Sequence, residues 1–530
     1  MGHRPVSLLL QARIRRRPNC QARLNSHCMM SRGFPSLAYS SSPTPMSPQA
    51  ISPPTPQPVR PGLTNFAATP AATATLRELL QKDYVSHHCF FNDLGFHNHL
   101  PHHLVAAYDL GASPALLELI YKDEAPMLRA IDRQGEDITE GNWTTRLGEH
   151  KAYGSYLAFF AEQIAKSGVQ ETMKRFVMAP EANGNDALMF ARLLGGALHP
   201  FLQVGFGVEF GQDYMVAQGL AMAAVTSAGT TAYVLDKPSG LPEISTKSTK
   251  GVTLLSLLRE VYDSQVLTPV LPYDPNALLS TRTKQLMETD DRGAELKRIY
   301  AKWSIDTSLT GSALDQEIAD KIEECFWQAT LLLTATGKPN RAPRPDFFLM
   351  HVLTSAICLP SLLSILPDPV HKAQLLQGYI RSSALYILIR GRPRIDIPLL
   401  MSYTEFPAPS KGTPPGSSSA LGAKPGEETN PWLAIIENSL HHKDAHVMKV
   451  VRTLYYCAVK YGHRKAGEAI GVKDEEGKET HLGAGKMDGT VFVRAAGVVT
   501  DRLGWVAYGG KEGEWDRSAL GYDAAWDGED

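Results

Sequence analysis

The stretch Phe96-His97-Asn98-His99-Leu100-Pro101-His102-His103 places four of the chain's 17 histidines within seven consecutive positions. Asn98 can cap a helix and Pro101 is favoured in a first helical turn, so the apolar run over residues 104–110 is predicted to continue as a helix. His99 would then lie at the mouth of that helix. Because imidazole is a common ligand for transition metals, the stretch indicates either one corner of a metal site or a helix start with solvated or hydrogen-bonded histidines.

The composition is that of a large globular protein. The chain has 530 residues, of which 43% are hydrophobic, and this is enough for a sizeable core. Its formal net charge is -2, so there is no basic field for nucleic acid, and small neutral or weakly acidic molecules are the expected partners. The six cysteines form no C-x-x-C pair, which excludes a disulfide framework and a cysteine zinc site and suits a reducing compartment.

Residues 1–72 are predicted to form a disordered tail. They are rich in Arg, Ser and Pro and hold too little apolar surface to offset the entropy cost of ordering. No acidic residue precedes Glu78, a pattern typical of a mitochondrial transit peptide; an over-extended start, with Met29, Met30 or Met46 as the true first residue, fits as well. The expected location is therefore cytoplasmic, or mitochondrial if the tail is a genuine transit peptide.

Residues 73–530 are predicted to form a single large, mainly α-helical domain. Apolar residues recur at helical spacing along most of this region, as at Leu116, Leu117 and Ile120, and strand-like alternation is rare. Residues 491–499 fit a strand or a helix. The Pro-, Gly- and Ser-rich residues 407–431 and the charged, Gly-rich residues 471–489 are expected to be mobile loops.

One apolar run, residues 347–366, has the length of a membrane span and no Asp, Glu, Lys or Arg. His351 and Pro360 interrupt the run, and it lacks the basic and aromatic flanks expected of a span. A buried core helix broken near Pro360 is the better interpretation, so no membrane span is predicted.

Three further places put histidine in apolar surroundings. His199 precedes a proline at the end of a Gly-rich element, where its side chain can point into a cavity, and His351 has apolar neighbours on every side. A histidine so placed needs a partner, either a backbone carbonyl or a metal. His446 and Lys449 are three residues apart on one predicted helix face and can converge. Lys449 could join a metal site only as a neutral amine or as a carbamate formed with carbon dioxide; otherwise it is an ordinary surface lysine.

Other motifs give weaker signals or none. His442-Lys443-Asp444 fits the H-x-D half of the facial triad of non-haem iron oxygenases, but the β-fold that normally carries it finds no support here. No dinucleotide fingerprint, phosphate-binding loop or nucleophile elbow is present. A flavin or nicotinamide held in a Rossmann domain is therefore disfavoured, and any redox chemistry is expected to depend on a metal.

The opening stretch, with Leu110-Gly111-Ala112 after it, resembles the questin oxidase-like family of fungal and bacterial proteins. The resemblance continues in four later motifs: Leu198-His199-Pro200, Phe347-Phe348-Leu349-Met350-His351, Asp444-Ala445-His446-Val447-Met448-Lys449 and Gly521-Tyr522-Asp523-Ala524-Ala525-Trp526. It covers residues 84–526, almost everything outside the tail. Five motifs in the right order are specific for the family but not for one substrate.

The resemblance implies an oxygenase that opens a ring of an aromatic polyketide, such as an anthraquinone, by a Baeyer–Villiger-type or dioxygenase reaction with dioxygen. It also implies non-haem Fe(II) bound by four histidines and a carboxylated lysine, with NADPH as a further candidate cofactor. Carried onto this chain, the ligands and catalytic residues would be His99, His199, His351, His446 and Lys449. The chain departs from many fungal relatives at Gln203, where they have a second histidine, and this leaves the five-residue set untouched.

Acceptors around the metal should fix the tautomer of each histidine, and Asn98, Glu209 and Asp444 are candidates. Apolar walls, such as Phe347, Phe348 and Val447, are expected to exclude water and seat a flat aromatic ring. Two alternatives stay open from sequence: an NADPH-dependent monooxygenase without metal, and a non-catalytic helical binding protein of a secondary-metabolite pathway, in which the histidines are structural.

Overall fold

Helices are the only regular secondary structure that the computed structural model shows in the residues it describes, which are 55, 57–131, 136–244, 251–410 and 429–528. They account for 57% of the described residues, and within those ranges only four isolated β-bridges occur, none of which extends into a strand. All described residues belong to one compact unit, Pro48–Asp530. The prediction of a mainly α-helical fold is confirmed.

The described residues contain nineteen α-helices. They are α1 (Pro70–Ser86), α2 (Leu100–Asp109), α3 (Pro114–Glu124), α4 (Tyr153–Met173), α5 (Met189–Leu193), α6 (His199–Phe210), α7 (Asp213–Val225), α8 (Gly229–Ala232), α9 (Leu254–Asp263), α10 (Leu279–Leu286), α11 (Asp291–Tyr300), α12 (Gly311–Thr334), α13 (Phe347–Ala356), α14 (Leu359–Ser364), α15 (Pro369–Ile389), α16 (Ile397–Ser402), α17 (Pro431–Leu440), α18 (Ala445–Tyr461) and α19 (Val491–Leu503). The last of these settles residues 491–499 as helix.

Four of these helices meet in the core and matter for the site. Helix α2 contacts α6, α6 contacts α13, α13 contacts α18, and α18 contacts α2, so that they form a closed ring. Aspartates cap two of them: Asp346 accepts hydrogen bonds from the backbone N–H groups of Phe348 and Leu349, and Asp444 accepts one from His446. Such caps satisfy the free N–H groups of a first turn and fix where each helix begins.

Glycines allow α6 and α7 to lie unusually close together. A Cβ added to Gly207 on α6 would meet the backbone nitrogen of Val216 at 2.7 Å, and one added to Gly219 on α7 would meet the backbone nitrogen of Val204 at 2.7 Å. The backbone of each helix therefore lies directly against a glycine of the other helix. The absence of a side chain at these two positions is what permits so close a backbone approach.

The predicted boundary of the fold at Thr73 is wrong. The chain is already joined to the helical body from Gln57, whose side chain pairs with Asp213 at 2.7 Å, and the backbone N–H of Arg60 donates to the carbonyl of Phe210 at 2.9 Å. Hydrogen bonds rather than apolar burial hold these residues, so a composition argument cannot detect them. The rest of the predicted tail, residues 1–54 and 56, lies outside the described residues, as does the predicted transit peptide.

The two predicted mobile loops differ in outcome. Residues 411–428, the centre of the first loop, lie outside the described residues, and α17 begins directly afterwards. Residues 471–489 have little regular structure, but the hydroxyl of Thr480 is buried and donates to the carbonyl of Gly471 at 2.6 Å, and Ala484 and Met487 are buried. Residues 473 and 475–479 are exposed, so the segment is a surface loop that also contributes side chains to the core, and its mobility stays a prediction.

The apolar run near residue 350 is a pair of helices. Phe347–Ser364 is the one stretch of the described residues with the length and hydropathy of a membrane span, and 72% of it is buried inside the protein. It is divided into α13 and α14, with Pro360 in the first turn of α14. This agrees with the interpretation as a core segment broken near Pro360.

We expect Gly207→Ala to lower the free energy of unfolding by about 1–3 kcal/mol, because the new methyl group would force α6 and α7 apart. Urea unfolding followed by circular dichroism measures the change. The exposed Gly141 provides a control, since an added Cβ there meets no atom closer than 3.9 Å and Gly141→Ala should leave stability within about 0.5 kcal/mol. Equal stability of the two variants would contradict the close helix contact.

Candidate metal centre

Four histidines from the four core helices converge on one point. Nitrogen atoms of His99, His199 and His446 lie within 4.8 Å of one another. The ring of His351 lies 4.9 Å from that of His199 and 5.2 Å from that of His446, measured between centroids. His99 precedes α2, His199 begins α6, His351 lies in α13 and His446 in the first turn of α18. The structure thus brings together side chains that are far apart in the sequence.

The closest pair has the spacing of two neighbouring ligands on one ion. Nε2 of His99 lies 2.9 Å from Nε2 of His199. Two metal–nitrogen bonds of about 2.1 Å at a right angle would place their nitrogen atoms about 3 Å apart. The same distance also suits an N–H···N hydrogen bond when no ion is bound. The two side chains therefore need to move little between the metal-bound state and the metal-free state.

Three of the rings are held in place by a hydrogen bond at Nδ1, the ring nitrogen that faces away from the point where the histidines converge. In each case Nδ1 faces an acceptor, which is the carbonyl of Gly196 for His199 (2.6 Å), the carbonyl of Phe347 for His351 (2.9 Å) and the carboxylate of Asp444 for His446 (2.7 Å). When Nδ1 carries the proton, Nε2 presents a free lone pair. Nε2 of both His351 and His446 is buried and has no hydrogen-bond partner. These orphaned acceptors fit a cation.

Lys449 lies one turn after His446 on the same helix. Its side chain is 1% exposed, and its Nζ has no hydrogen-bond partner. Burial lowers the pKa of Lys449 to about 8, so a substantial neutral fraction exists near physiological pH. A neutral amine has the lone pair that an ammonium lacks and is the form that reacts with carbon dioxide. The carbamate remains a prediction, and the environment favours it.

The imidazoles are held neutral. Burial, with a smaller contribution from the positive charge of Lys449, lowers the pKa of His99 and His446 and, together with neighbouring rings, that of His199 and His351. Neutral imidazole is the form that binds a metal. The donor set therefore fits a mid-series transition metal that prefers nitrogen ligands with one anionic oxygen.

The remaining histidines of the opening stretch surround the centre without joining it. The ring of His97 stacks on that of His199 at 4.0 Å with an angle of 3° between the planes. Gly196 makes room for it, since an added Cβ would lie 2.9 Å from Nε2 of His97. His102 is fully buried with its ring 6.2 Å from that of His99, and Nδ1 of His103 is hydrogen-bonded to the carboxylate of Glu124.

One of the three predicted orienting residues contacts a histidine, and two do not. Asp444 bonds His446, as described. Asn98 instead donates to Asp83 at 2.8 Å and accepts the backbone N–H of Leu100 at 2.9 Å. Glu209 lies at the opposite end of α6 from His199 and is paired with a buried arginine. Asn98 therefore fixes the backbone before α2, and the prediction of a histidine contact for Asn98 and Glu209 is wrong.

The facial-triad alternative is not supported by the geometry. Nε2 of His442 lies 3.2 Å from the carbonyl of Leu503, and its Nδ1 accepts the backbone N–H of Asp444 at 3.1 Å. Both ring nitrogens are therefore occupied, and no lone pair of His442 is free for a metal. Gln203, the position of departure from many fungal relatives, bonds Gln218 at 3.1 Å and is fully buried.

The centre approaches the surface at one side. His99 is only partly buried, and Phe347 is half-buried with its ring edge-on to His351 (5.2 Å) and His446 (5.1 Å). The guanidinium of the exposed Arg517 lies 4.1 Å from the centre of the Phe347 ring. Of the predicted apolar walls, Phe347 thus covers two candidate ligands directly. Sequence reasoning missed Arg517, because no spacing links it to the histidine motifs.

Comparison with known proteins identifies the family of the chain. The family model described as "Questin oxidase-like" matches residues 96–454, more than half of the chain. The chain belongs to the questin oxidase-like family, as the motifs indicated, and is accordingly an oxidoreductase. The match begins within the opening histidine stretch and ends beyond Lys449, so it includes all five candidate ligands.

Three relatives illustrate the family. Baeyer-Villiger oxidase GME11358 of Pestalotiopsis microspora is 26% identical over 71% of this chain and 79% of its own length. Questin oxidase of Aspergillus terreus is 26% identical over 77% of this chain and 83% of its own length. Oxidoreductase AflY of Aspergillus parasiticus is 24% identical over 71% of both chains. All three names describe oxidation.

We expect Asp444→Asn to weaken iron(II) binding about 10- to 100-fold, because His446 loses the anionic acceptor that holds its tautomer. Competition with a chromophoric chelator measures the affinity. Asp368→Asn is the matched control, since Asp368 also caps a helix, α15, but touches no histidine of the centre. An unchanged affinity in Asp444→Asn would contradict the assigned role of Asp444.

Proposed function

We propose that the protein is a non-haem iron oxygenase that inserts oxygen into a ring of an aromatic polyketide of the anthraquinone type and opens that ring. The observation that carries the proposal is a group of buried nitrogen atoms that have no hydrogen-bond partner. They are Nε2 of His351, Nε2 of His446 and Nζ of Lys449, and they lie beside the close pair of His99 and His199. Burying so many polar atoms without partners is costly unless they share one. The names of the relatives support the substrate class and the reaction.

The five residues His99, His199, His351, His446 and Lys449 would hold the iron. Iron(II) would supply electrons to dioxygen. Closed-shell organic substrates react with dioxygen only slowly when no such metal is present. Four neutral imidazoles and one lysine carbamate would carry a single negative charge, which favours electron donation from the metal. With these five residues as ligands, the iron would keep the capacity to bind one small molecule.

The chain's own residues would orient the ligands and receive the substrate. Asp444 and the carbonyls of Gly196 and Phe347 keep Nδ1 of three rings protonated, so that their Nε2 atoms face inward. Phe347, edge-on to two of the rings and partly open to solvent, is placed to stack against a flat aromatic substrate and to keep water away. Arg517 above Phe347 would attract a phenolate or quinone oxygen.

A second candidate keeps the oxygen insertion but dispenses with the metal. Several relatives are named Baeyer-Villiger oxidases, and one is named a Baeyer-Villiger monooxygenase. Insertion of one oxygen atom with reduction of the other to water needs two electrons, which NADPH would provide. In that case NADPH consumption would survive removal of metal by a chelator. Under the leading proposal, chelation abolishes product formation.

Metal analysis tests the leading proposal. We expect about one iron per chain in protein purified under iron-replete conditions, and a loss of most of it in His351→Ala, because one of the nitrogen ligands is removed. His481→Ala is the control, since His481 is also buried with both ring nitrogens unpaired but lies edge-on to Tyr262, outside the cluster. Near-zero iron in the wild-type protein, or equal iron in the two variants, would overturn the site.

A further inference from the structure

A buried ion cluster joins three of the helices that supply candidate ligands. Nε of Arg452 on α18 donates to Asp109 at 2.8 Å, and its Nη2 donates to Glu209. Asp109 is the last residue of α2, and Glu209 lies in the last turn of α6. All three side chains are at most 3% exposed. Arg452 therefore bridges two helices from a third.

The cluster and the metal centre lie at opposite ends of α2 and α6. His99 precedes α2 and Asp109 ends it, while His199 begins α6 and Glu209 lies near its end. Ten residues of helix span about 15 Å. On α18, Arg452 follows Lys449 by three residues and so lies on the same face. Helices are stiff over this length, so fixing their far ends fixes the spacing of the histidines at the near ends.

A segment that precedes α1 completes the cluster. We call residues 57–66 the N-terminal strap. The backbone N–H of Leu63 donates to Glu209 at 2.7 Å, and the backbone N–H groups of Thr64 (3.1 Å) and Asn65 (2.8 Å) donate to the two carboxylate oxygens of Asp109. The hydroxyl of Thr64 donates to the same carboxylate. One guanidinium cannot supply every hydrogen bond that two carboxylates can accept. The strap therefore provides additional N–H and O–H donors.

The strap is also fastened on both sides of the cluster. Gln57 exchanges two hydrogen bonds of 2.7 Å with Asp213 at the start of α7, and the carbonyl of Pro58 accepts one from Gln212 at 3.1 Å. At the other end the backbone N–H of Phe66 donates to the carbonyl of Asp109 at 2.9 Å. The strap therefore connects the C-terminal ends of α2 and α6.

The arginine itself has little freedom to move. Its guanidinium lies 5.4 Å from the ring centres of both Phe206 and Phe210, which are buried side chains of α6. A planar guanidinium can face two carboxylates along two directions at once, whereas an ammonium is a single point charge. Two buried carboxylates beside one cation also need the neutral donors of the strap.

We infer that Arg452 and the N-terminal strap are a positioning unit for the metal centre: through Asp109 and Glu209 they set the relative position of α2, α6 and α18, and hence the spacing of His99, His199, His446 and Lys449. This inference rests on the proposed metal centre. It also extends the functional part of the chain to residue 57, well before the match to the family begins at residue 96.

The test replaces Arg452 by lysine in the full chain. Arg452→Lys keeps the charge but cannot bridge both carboxylates, so α2 and α6 should shift relative to α18. We expect cobalt(II), used as a spectroscopic stand-in for iron(II), to bind about 10- to 100-fold more weakly and with a changed visible absorption spectrum. A merely stabilising arginine would lower the unfolding temperature and leave the spectrum of bound cobalt unchanged.

Arg381→Lys is the matched control. Arg381 is equally buried and pairs with Asp236 at 2.7 Å, but lies on α15, which provides no candidate ligand. This variant should lose stability and keep the cobalt(II) affinity and spectrum of the wild-type protein. The comparison separates the position of the ion pair from the general cost of disturbing a buried one.

A milder variant tests the strap if Arg452→Lys fails to fold. Thr64→Val removes one hydroxyl donor to Asp109 and keeps the backbone, and it should shift the cobalt(II) spectrum in the same direction by a smaller amount. Thr73→Val is its control, since that hydroxyl bonds Thr69 and Tyr108 instead.

Wild-type protein that takes up no cobalt or iron would overturn the proposed function. Wild-type affinity and spectrum in both Thr64→Val and a folded Arg452→Lys would overturn the positioning unit alone.

Discussion

The rest of the structure is built around a group of basic side chains buried in its interior. Nitrogen atoms of His99, His199 and His446 lie within 4.8 Å of one another, and Lys449 is buried one turn after His446. Several positive charges so close together and away from solvent would repel one another strongly. Burial lowers the pKa of these imidazoles, and the neutral rings present inward-facing lone pairs that a cation can satisfy. The carboxylate of Asp444 bonds the outer nitrogen of His446.

The far ends of α2 and α6 carry a different kind of contact. There Asp109 and Glu209 accept hydrogen bonds from the guanidinium of Arg452 and from backbone N–H groups of residues 63–65. The two helices are therefore held by inward-facing imidazoles at one end and by an arginine–carboxylate cluster at the other. Glycine contacts such as that of Gly207 also bring the backbones of α6 and α7 close together.

Much of the centre could be predicted from sequence because its signals are local. A histidine-rich helix start, a histidine in an apolar run and a histidine–lysine pair at helical spacing each point to a buried polar side chain, and the family resemblance joins them. Contacts between distant parts of the chain were beyond this reasoning. Glu209 and Asn98 were assigned to histidines although their partners are Arg452 and Asp83, because an acidic or amide side chain does not show in sequence which of many donors it faces. The strap was missed for the same reason: its anchors are backbone N–H groups, which every residue except proline has.

The order of the ligands along the chain has a consequence for biogenesis. The first donor is residue 99 and the last is residue 449, so no partial product of translation that ends before α18 contains a complete centre. The ring contacts of His99 with His199, of His199 with His351 and of His99 with His446 all join distant parts of the chain, a topology that folds slowly. Under the proposed function, the metal would therefore be held only by molecules in which the last ligand-bearing helix, α18, has docked.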